Sequence, residues 1–134
     1  VILNSNFEVE YSHHYGVKNF YKYGATIINC INREYCKKLI VMLPNQKHPA
    51  HFHKRKEETF QVLYGTLTIF VDGKKHILSP GQTCLIQPGV WHSFSSNESC
   101  IVEEISTTHY NNDSFYKDKK IIRISIGQQS LVLR

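Results

Sequence analysis

The 134-residue chain has no signal-peptide pattern and no apolar run long enough to cross a bilayer, so neither export nor a membrane partner is expected. Cysteine is sparse. Cys30, Cys36, Cys84 and Cys100 show no C-x-x-C spacing and fall mostly in apolar runs, which argues against disulfides. They read as small buried hydrophobes in a reducing compartment, and a cytoplasmic location is the expectation. Internal repeats and low-complexity stretches are missing, and helical periodicity is nearly so. At this length, with 41% hydrophobic residues, one domain spanning 1–134 is expected, the chain being too short for two of ordinary size. The formal charge of +5 is not concentrated anywhere, because lysines and arginines interleave with acids, as in KRKEE and KDKK. Nucleic acid is therefore not an expected partner. A solvated basic surface would still favour anionic small molecules such as sugar phosphates or sugar acids. The chain starts at Val1 rather than at methionine, which fits a domain cut from a longer chain, or processing.

What is present is a concentration of histidine and carboxylate between His48 and His92. His51 and His53 are one residue apart, so on an extended strand both imidazoles project to one face, close enough to share a cation. Glu58 lies an odd number of positions after His53, and an unbroken strand would put it on the opposite face. The charged run Lys54, Arg55, Lys56, Glu57 must turn the chain, so that a return strand from Glu58 brings the carboxylate back. His92 follows the turn signal Pro88-Gly89, which can deliver it from a distant strand. Three imidazoles and one carboxylate suit one divalent transition metal, Mn, Fe, Zn, Ni or Co, better than Ca or Mg. An H-x-H alone arises easily among eight histidines; the four-residue pattern is far more specific.

Residues 1–24 show no sustained period of two and read as an N-terminal extension, with Val17, Phe20 and Tyr21 on one face of a short helix ending near Gly24. From Ala25 the pattern is β-rich through Ser106, the expected barrel core. ATIINCI and CKKLIVML read as strands, followed by the His51 strand and a run from Glu58 to Tyr64. Thr66–Val71 alternates, Asp72-Gly73 is a strong hairpin signal, and Lys74–Leu78, Thr83–Ile86, His92–Phe94 and CIVEEIS complete the set. Residues 107–134 read as a polar, aromatic loop or lid with IIRISI as the last strand. The fold class expected is all-β, a small antiparallel barrel with a short helical N-terminal segment.

The spacing His51-x-His53, then Glu58, then Gly65 resembles the first motif of the cupins. Gly81-QTCLI-Gln87-Pro88-Gly89-Val90-Trp91-His92 resembles the second, with Gln87 where that family usually has proline and Asn97 one place later than the usual asparagine. The resemblance implies a jelly-roll (double-stranded β-helix) barrel in which His51, His53, Glu58 and His92 hold one metal. HHYG, INREYCKKLIV, QPGVWHSF and EEISTTHYNNDSFY extend the likeness to the lyxose-isomerase-like cupin domains found at the C-terminus of some bacterial sialic-acid-synthase-like proteins. That closer resemblance implies a role in nonulosonic-acid or surface-polysaccharide sugar metabolism, membership of a longer synthase chain, and a homodimer.

The chemistry expected is aldose-ketose isomerisation or epimerisation of a sugar or sugar phosphate. It needs a base, and Glu103 and Glu104 stand in an apolar strand expected beside the His92 strand. Being consecutive, only one can face inward. Glu104 is favoured because Glu104-Ile105-Ser106 looks like the segment after the second motif in cupin sugar-phosphate isomerases. Lys54, Gln61, Tyr64, Trp91 and His109 are the candidate substrate-binding residues. Adjacent His13-His14 rarely serve one ion together and rank low. A non-catalytic sugar-binding or assembly domain, and an Fe-dependent dioxygenase using the same ligands, are the alternatives.

Overall fold

The computed structural model describes residues 7–122 and 130–133. Alternating apolar residues and tight turns make the strands β1 (Glu8–Ser12), β2 (Ala25–Asn32), β3 (Tyr35–Met42), β4 (Lys47–Phe52), β5 (Glu58–Gly65) and β6 (Leu67–Val71). They continue as β7 (Lys74–Leu78), β8 (Thr83–Ile86), β9 (His92–Ser95), β10 (Cys100–Thr107), β11 (Phe115–Tyr116) and β12 (Ser130–Leu133). Helices are short: a 3-10 turn at Val17–Asn19, α1 (Phe20–Tyr23) and α2 (Lys119–Ile122). All strand pairs are antiparallel, in a seven-stranded sheet ordered β12, β1, β2, β3, β10, β5, β8 and a five-stranded sheet ordered β11, β4, β9, β6, β7. The all-β antiparallel fold expected from the turn spacing, and the jelly roll that the cupin resemblance implies, is the fold observed.

The two sheets bury Phe60, Val62, Leu67, Ile69, Ile86 and Phe94 between them. Phe60 and Phe94 also wall the polar cavity described below, so the core and the site share a partition. Gly65 sits between β5 and β6 at φ 76°, where a Cβ would strike the Ser99 carbonyl oxygen. Only glycine lets those segments approach.

Several local expectations are corrected. Glu8–Ser12 is a strand paired with β2, because its alternation is inverted: Glu10 and Ser12 face the cavity while Tyr11 meets Phe20 on the other side. A strand lining a polar cavity does not show the usual apolar-in pattern. The helix near Gly24 exists, but Val17 is 63% and Tyr21 74% exposed, and only Phe20 is partly covered. Ile121 and Ile122 belong to α2 rather than to a strand, the rest of IIRISI lies outside the described residues, and the last strand is β12. Strand β10 does not run beside β9. It lies in the opposite sheet between β3 and β5, so Glu104 looks toward the His92 strand across the interior.

Candidate metal centre and active site

Strand β4 ends at Phe52, the chain turns through the charged run, and β5 begins at Glu58. His51 pairs with His92 across β4 and β9, and Glu58 comes from the facing sheet. The four side chains His51, His53, Glu58 and His92 are buried, and one ligand atom from each lies within 4.8 Å of the others.

The tautomers are set from behind. His51 Nδ1–H donates to the Pro49 carbonyl at 3.0 Å, His53 Nδ1–H to Asp113 O at 2.9 Å, and His92 Nδ1–H to Val90 O at 3.0 Å. A carbonyl only accepts, so each Nδ1 carries the proton and each Nε2 is a bare lone pair. His92 Nε2 then stands 2.8 Å from Glu58 Oε1, two acceptors with no proton to share, and both atoms are buried without a hydrogen-bond donor. That contact is favourable only if a proton or a metal cation lies between the groups. The donor set fits a borderline divalent ion, and the backs of the imidazoles are tied as metal-bound histidines usually are. Burial, then the neighbouring His92, holds the His51 imidazole well below the usual histidine range; burial, then Lys56, brings His53 to about 4. Both are neutral ligands at pH 7.

Glu58 is held as a carboxylate. Burial pushes its pKa up, but opposing charge, the Lys56 ammonium foremost, outweighs that and leaves it well below the carboxylate norm. Lys56 Nζ is 3.1 Å from Glu58 Oε2 and 3.3 Å from Glu104 Oε2, all three side chains being almost fully buried. It also donates to His109 Nδ1 at 3.3 Å. Burial alone would lower the Lys56 pKa; Glu104 and Glu58 reverse the sign and keep it charged. For Glu104, burial raises the pKa more than Lys56 lowers it, and the Glu58 charge adds to the rise. A carboxyl group poised above its ordinary value is the kind that can exchange protons near neutral pH.

These groups open on one cavity of about 270 Å³, lined among others by His48, His51, Lys56, Glu104, His109 and Tyr116. Glu104 is 5% exposed and faces it, whereas Glu103 points outward to Lys37 at 3.9 Å. His109, from the tail, also reaches it.

Four of the candidate substrate contacts do not. Lys54 is exposed, its ammonium 4.4 Å over the Phe115 ring. Gln61 has the opposite parity to Glu58, Phe60 and Val62 and donates to Gly81 O at 3.2 Å on the outer surface. Tyr64 shares their parity, yet a bulge shifts the register from Val62 to Tyr64 opposite Val102 and Ile101, and the ring ends 61% exposed. Trp91 precedes the inward His92, so it points out, edge-on to Phe52.

Sequence reasoning missed Asp113, whose carboxylate accepts the backbone N–H of Lys54, Arg55 and Lys56 and so shapes the turn between the ligand strands. It also missed His48 and Lys38, and ranked His14 low, though all three line the cavity. The available signal for His48 was Pro49: proline inside a strand marks a bulge, and a bulge changes which face a residue takes.

The family profile described as Cupin domain matches residues 38–105, half of the chain, spanning all four ligand positions. The chain belongs to the cupin family. This cupin is 29% identical to a D-lyxose ketol-isomerase of Thermofilum sp. (strain ex4484_79), over 82% of its own length and 77% of the relative's. It is 27% identical, with the same coverage, to a D-lyxose/D-mannose isomerase of Thermosediminibacter oceani. In fold it is similar to the L-ribose isomerase of Cellulomonas parahominis solved with L-ribose, with a TM-score of 0.73, 13% identity, and coverage of 90% of this cupin and 82% of that chain. Among the described residues no helix is long and apolar enough to cross a membrane.

Proposed function

We propose that this cupin is a metal-dependent aldose-ketose isomerase. One observation carries the reading: the four-ligand cluster and a buried, inward-facing glutamate are joined through a single buried lysine, Lys56, on the wall of one cavity. A divalent cation held by His51, His53, Glu58 and His92 would polarise a carbonyl oxygen as a Lewis acid, a contribution of several kcal/mol.

The chain's own residues do the rest. Glu104 takes the proton from C2 of the sugar and returns it to C1, while the hydroxyl proton of O2 passes to O1, so that aldose and ketose interconvert without a net change. Lys56 fixes Glu104 and Glu58 relative to one another, and its charge keeps both from being buried uncompensated. His109, accepting from Lys56, leaves the ammonium directed at the carboxylates. The cavity, about 270 Å³, falls just below the range of about 300–1,000 Å³ usual for ligand sites, which suits a ligand as small as a monosaccharide.

The relatives' names, D-lyxose, D-mannose and L-ribose isomerases, support free aldoses as first substrates to try, with their phosphates beside them. The metal is of the Mn, Fe, Co, Ni or Zn group. The likeness in sequence to cupin domains of sialic-acid-synthase-like proteins supports a place in nonulosonic-acid or surface-sugar metabolism, as a cytoplasmic homodimer.

The test is incubation of metal-loaded protein with these aldoses and aldose phosphates in deuterated water, followed by NMR. Deuterium at C2 together with the ketose is expected from at least one; its absence from all of them would remove the isomerase reading and leave a sugar-binding domain.

A further inference from the structure

Strand β4 carries a second pair of imidazoles. His48 and His51 are an odd number of residues apart and would face opposite ways on a regular strand. The ladder to β9 runs His48 to Phe94 and then His51 to His92, three residues against two, so one extra residue is bulged out at Pro49-Ala50. The bulge returns His48 to the cavity face. The Pro49 carbonyl accepts from both rings, from His48 Nδ1–H at 3.2 Å and from His51 Nδ1–H at 3.0 Å. His48 is therefore prepared as the ligands are, with Nε2 a bare acceptor, yet it lies outside the four-residue cluster.

What meets that lone pair is His14. The two Nε2 atoms are 3.1 Å apart, and Ser12 Oγ lies 2.7 Å from the same His14 nitrogen. Since His48 Nε2 can only accept, His14 Nε2 carries the proton. His14, His48 and Ser12 all line the cavity, and the His48 ring is 4.6 Å from the His51 ring. The cavity thus has a donor and an acceptor side by side, next to the position where the carbonyl end of a sugar would be held.

We propose that His14 and His48 are a ring-opening pair acting on the hemiacetal carbon of a cyclic aldose. The inference rests on the isomerase reading for its substrate class. Aldoses in water are mostly cyclic hemiacetals, which have no carbonyl to isomerise. The pair acts when the hemiacetal inserts between the two nitrogens. His14 Nε2 gives its proton to the ring oxygen, and His48 Nε2 takes the proton of the C1 hydroxyl. The bond from C1 to the ring oxygen breaks as the C1 to O1 double bond forms. The proton on His48 then returns to His14 across the gap the two rings already span, and the pair is reset. Paired acid-base assistance of this kind is worth roughly 10²- to 10⁴-fold.

The experiment is NMR exchange spectroscopy between α and β anomers of the same aldoses, with chelator-treated protein. The variants are Glu103→Gln, His14→Asn and His48→Phe, each checked for folding by thermal melting. Asparagine tolerates the φ of 49° at position 14 and is too short to reach His48. Phenylalanine keeps the stacking of position 48 on Phe94, whose rings are 4.5 Å apart. Two variants are used so that one folded protein suffices. The expected result is that wild type and Glu103→Gln, altered only in the surface pair with Lys37, speed anomer exchange at least tenfold over buffer, while His14→Asn and His48→Phe do not. Equal rates in Glu103→Gln and a folded variant of the pair would overturn the proposal, as would no acceleration by wild type. Anomer exchange here, with no deuterium at C2 in the metal-loaded incubation, would leave the pair standing and remove the isomerase; deuterium at C2 in that incubation with unaccelerated anomer exchange here would do the reverse.

Discussion

Asp113 grips His53 and the turn behind it at once. Its backbone oxygen accepts His53 Nδ1–H at 2.9 Å, and its carboxylate takes the N–H groups of Lys54, Arg55 and Lys56 at 2.9–3.2 Å. A tail residue thus holds both a ligand's tautomer and the turn that carries Lys56 inward. Asp113→Ala should lower metal affinity by about ten- to a hundredfold, as loss of outer-shell support does elsewhere. Titration with Mn²⁺ or Zn²⁺ checks it; an unchanged affinity would show that the turn holds its shape unaided.

Metal binding itself should appear as stability. A ligand that binds only the folded chain at a hundred times its Kd adds about 2.7 kcal/mol. Chelation should therefore lower the melting temperature of wild type, and adding back a borderline divalent ion should restore it. Glu58→Gln should show neither response.

Lys56→Met removes the one cation that, among the described residues, sits within ion-pair distance of both Glu58 and Glu104. Breaking a buried pair from one side costs about 3–5 kcal/mol, because the partner charge is left uncompensated. Urea midpoints for the variant and wild type measure this directly. A loss under about 1 kcal/mol, the scale of an exposed pair, would mean that water reaches the carboxylates.

The consecutive glutamates separate catalysis from surface charge. Glu104→Gln should cut kcat by about 10²- to 10⁴-fold on whichever aldose is turned over. Glu103→Gln, altering a half-exposed pair with Lys37, should change stability by no more than about 0.5 kcal/mol and leave kcat alone.

Acid should destabilise the metal-free protein through its buried neutral histidines. Burial, helped by His13, brings His14 to about 4 against an ordinary 6.5. Between those values the unfolded chain binds the proton that the folded chain refuses, so stability rises with pH. The contribution is complete above about pH 6.5 and is lost as the pH falls toward 4, an effect of about 3 kcal/mol for this residue. Urea melts at pH 7.5, 6 and 5 should show a falling midpoint, with a shallower fall in His14→Asn. A flat profile would contradict the burial seen here.

The β-strands from Ala25 to Ser106 and the grouping of His51, His53, Glu58 and His92 could be read from the chain because the relevant signals are local. Alternation has a fixed period of two, Asp72-Gly73 and Ser79-Pro80-Gly81 are turns by their own backbone preferences, and the spacing of His51, His53, Glu58 and His92 is itself a motif. The inward choice of Glu104 over Glu103 rested on resemblance, and its placement opposite β9 came only with the sheets.

What the residues determined unaided was which groups could share an ion and that short antiparallel strands would wrap them. Tertiary structure decided which way the remaining groups point, because that depends on two bulges. One turned Tyr64 out to solvent, and the other turned His48 into the cavity. A bulge shifts parity by one residue, and whether it forms is settled by the partner strand rather than by the strand that carries it. The tail showed the same limit: Asp113 looks like any loop aspartate until the fold sets it behind His53.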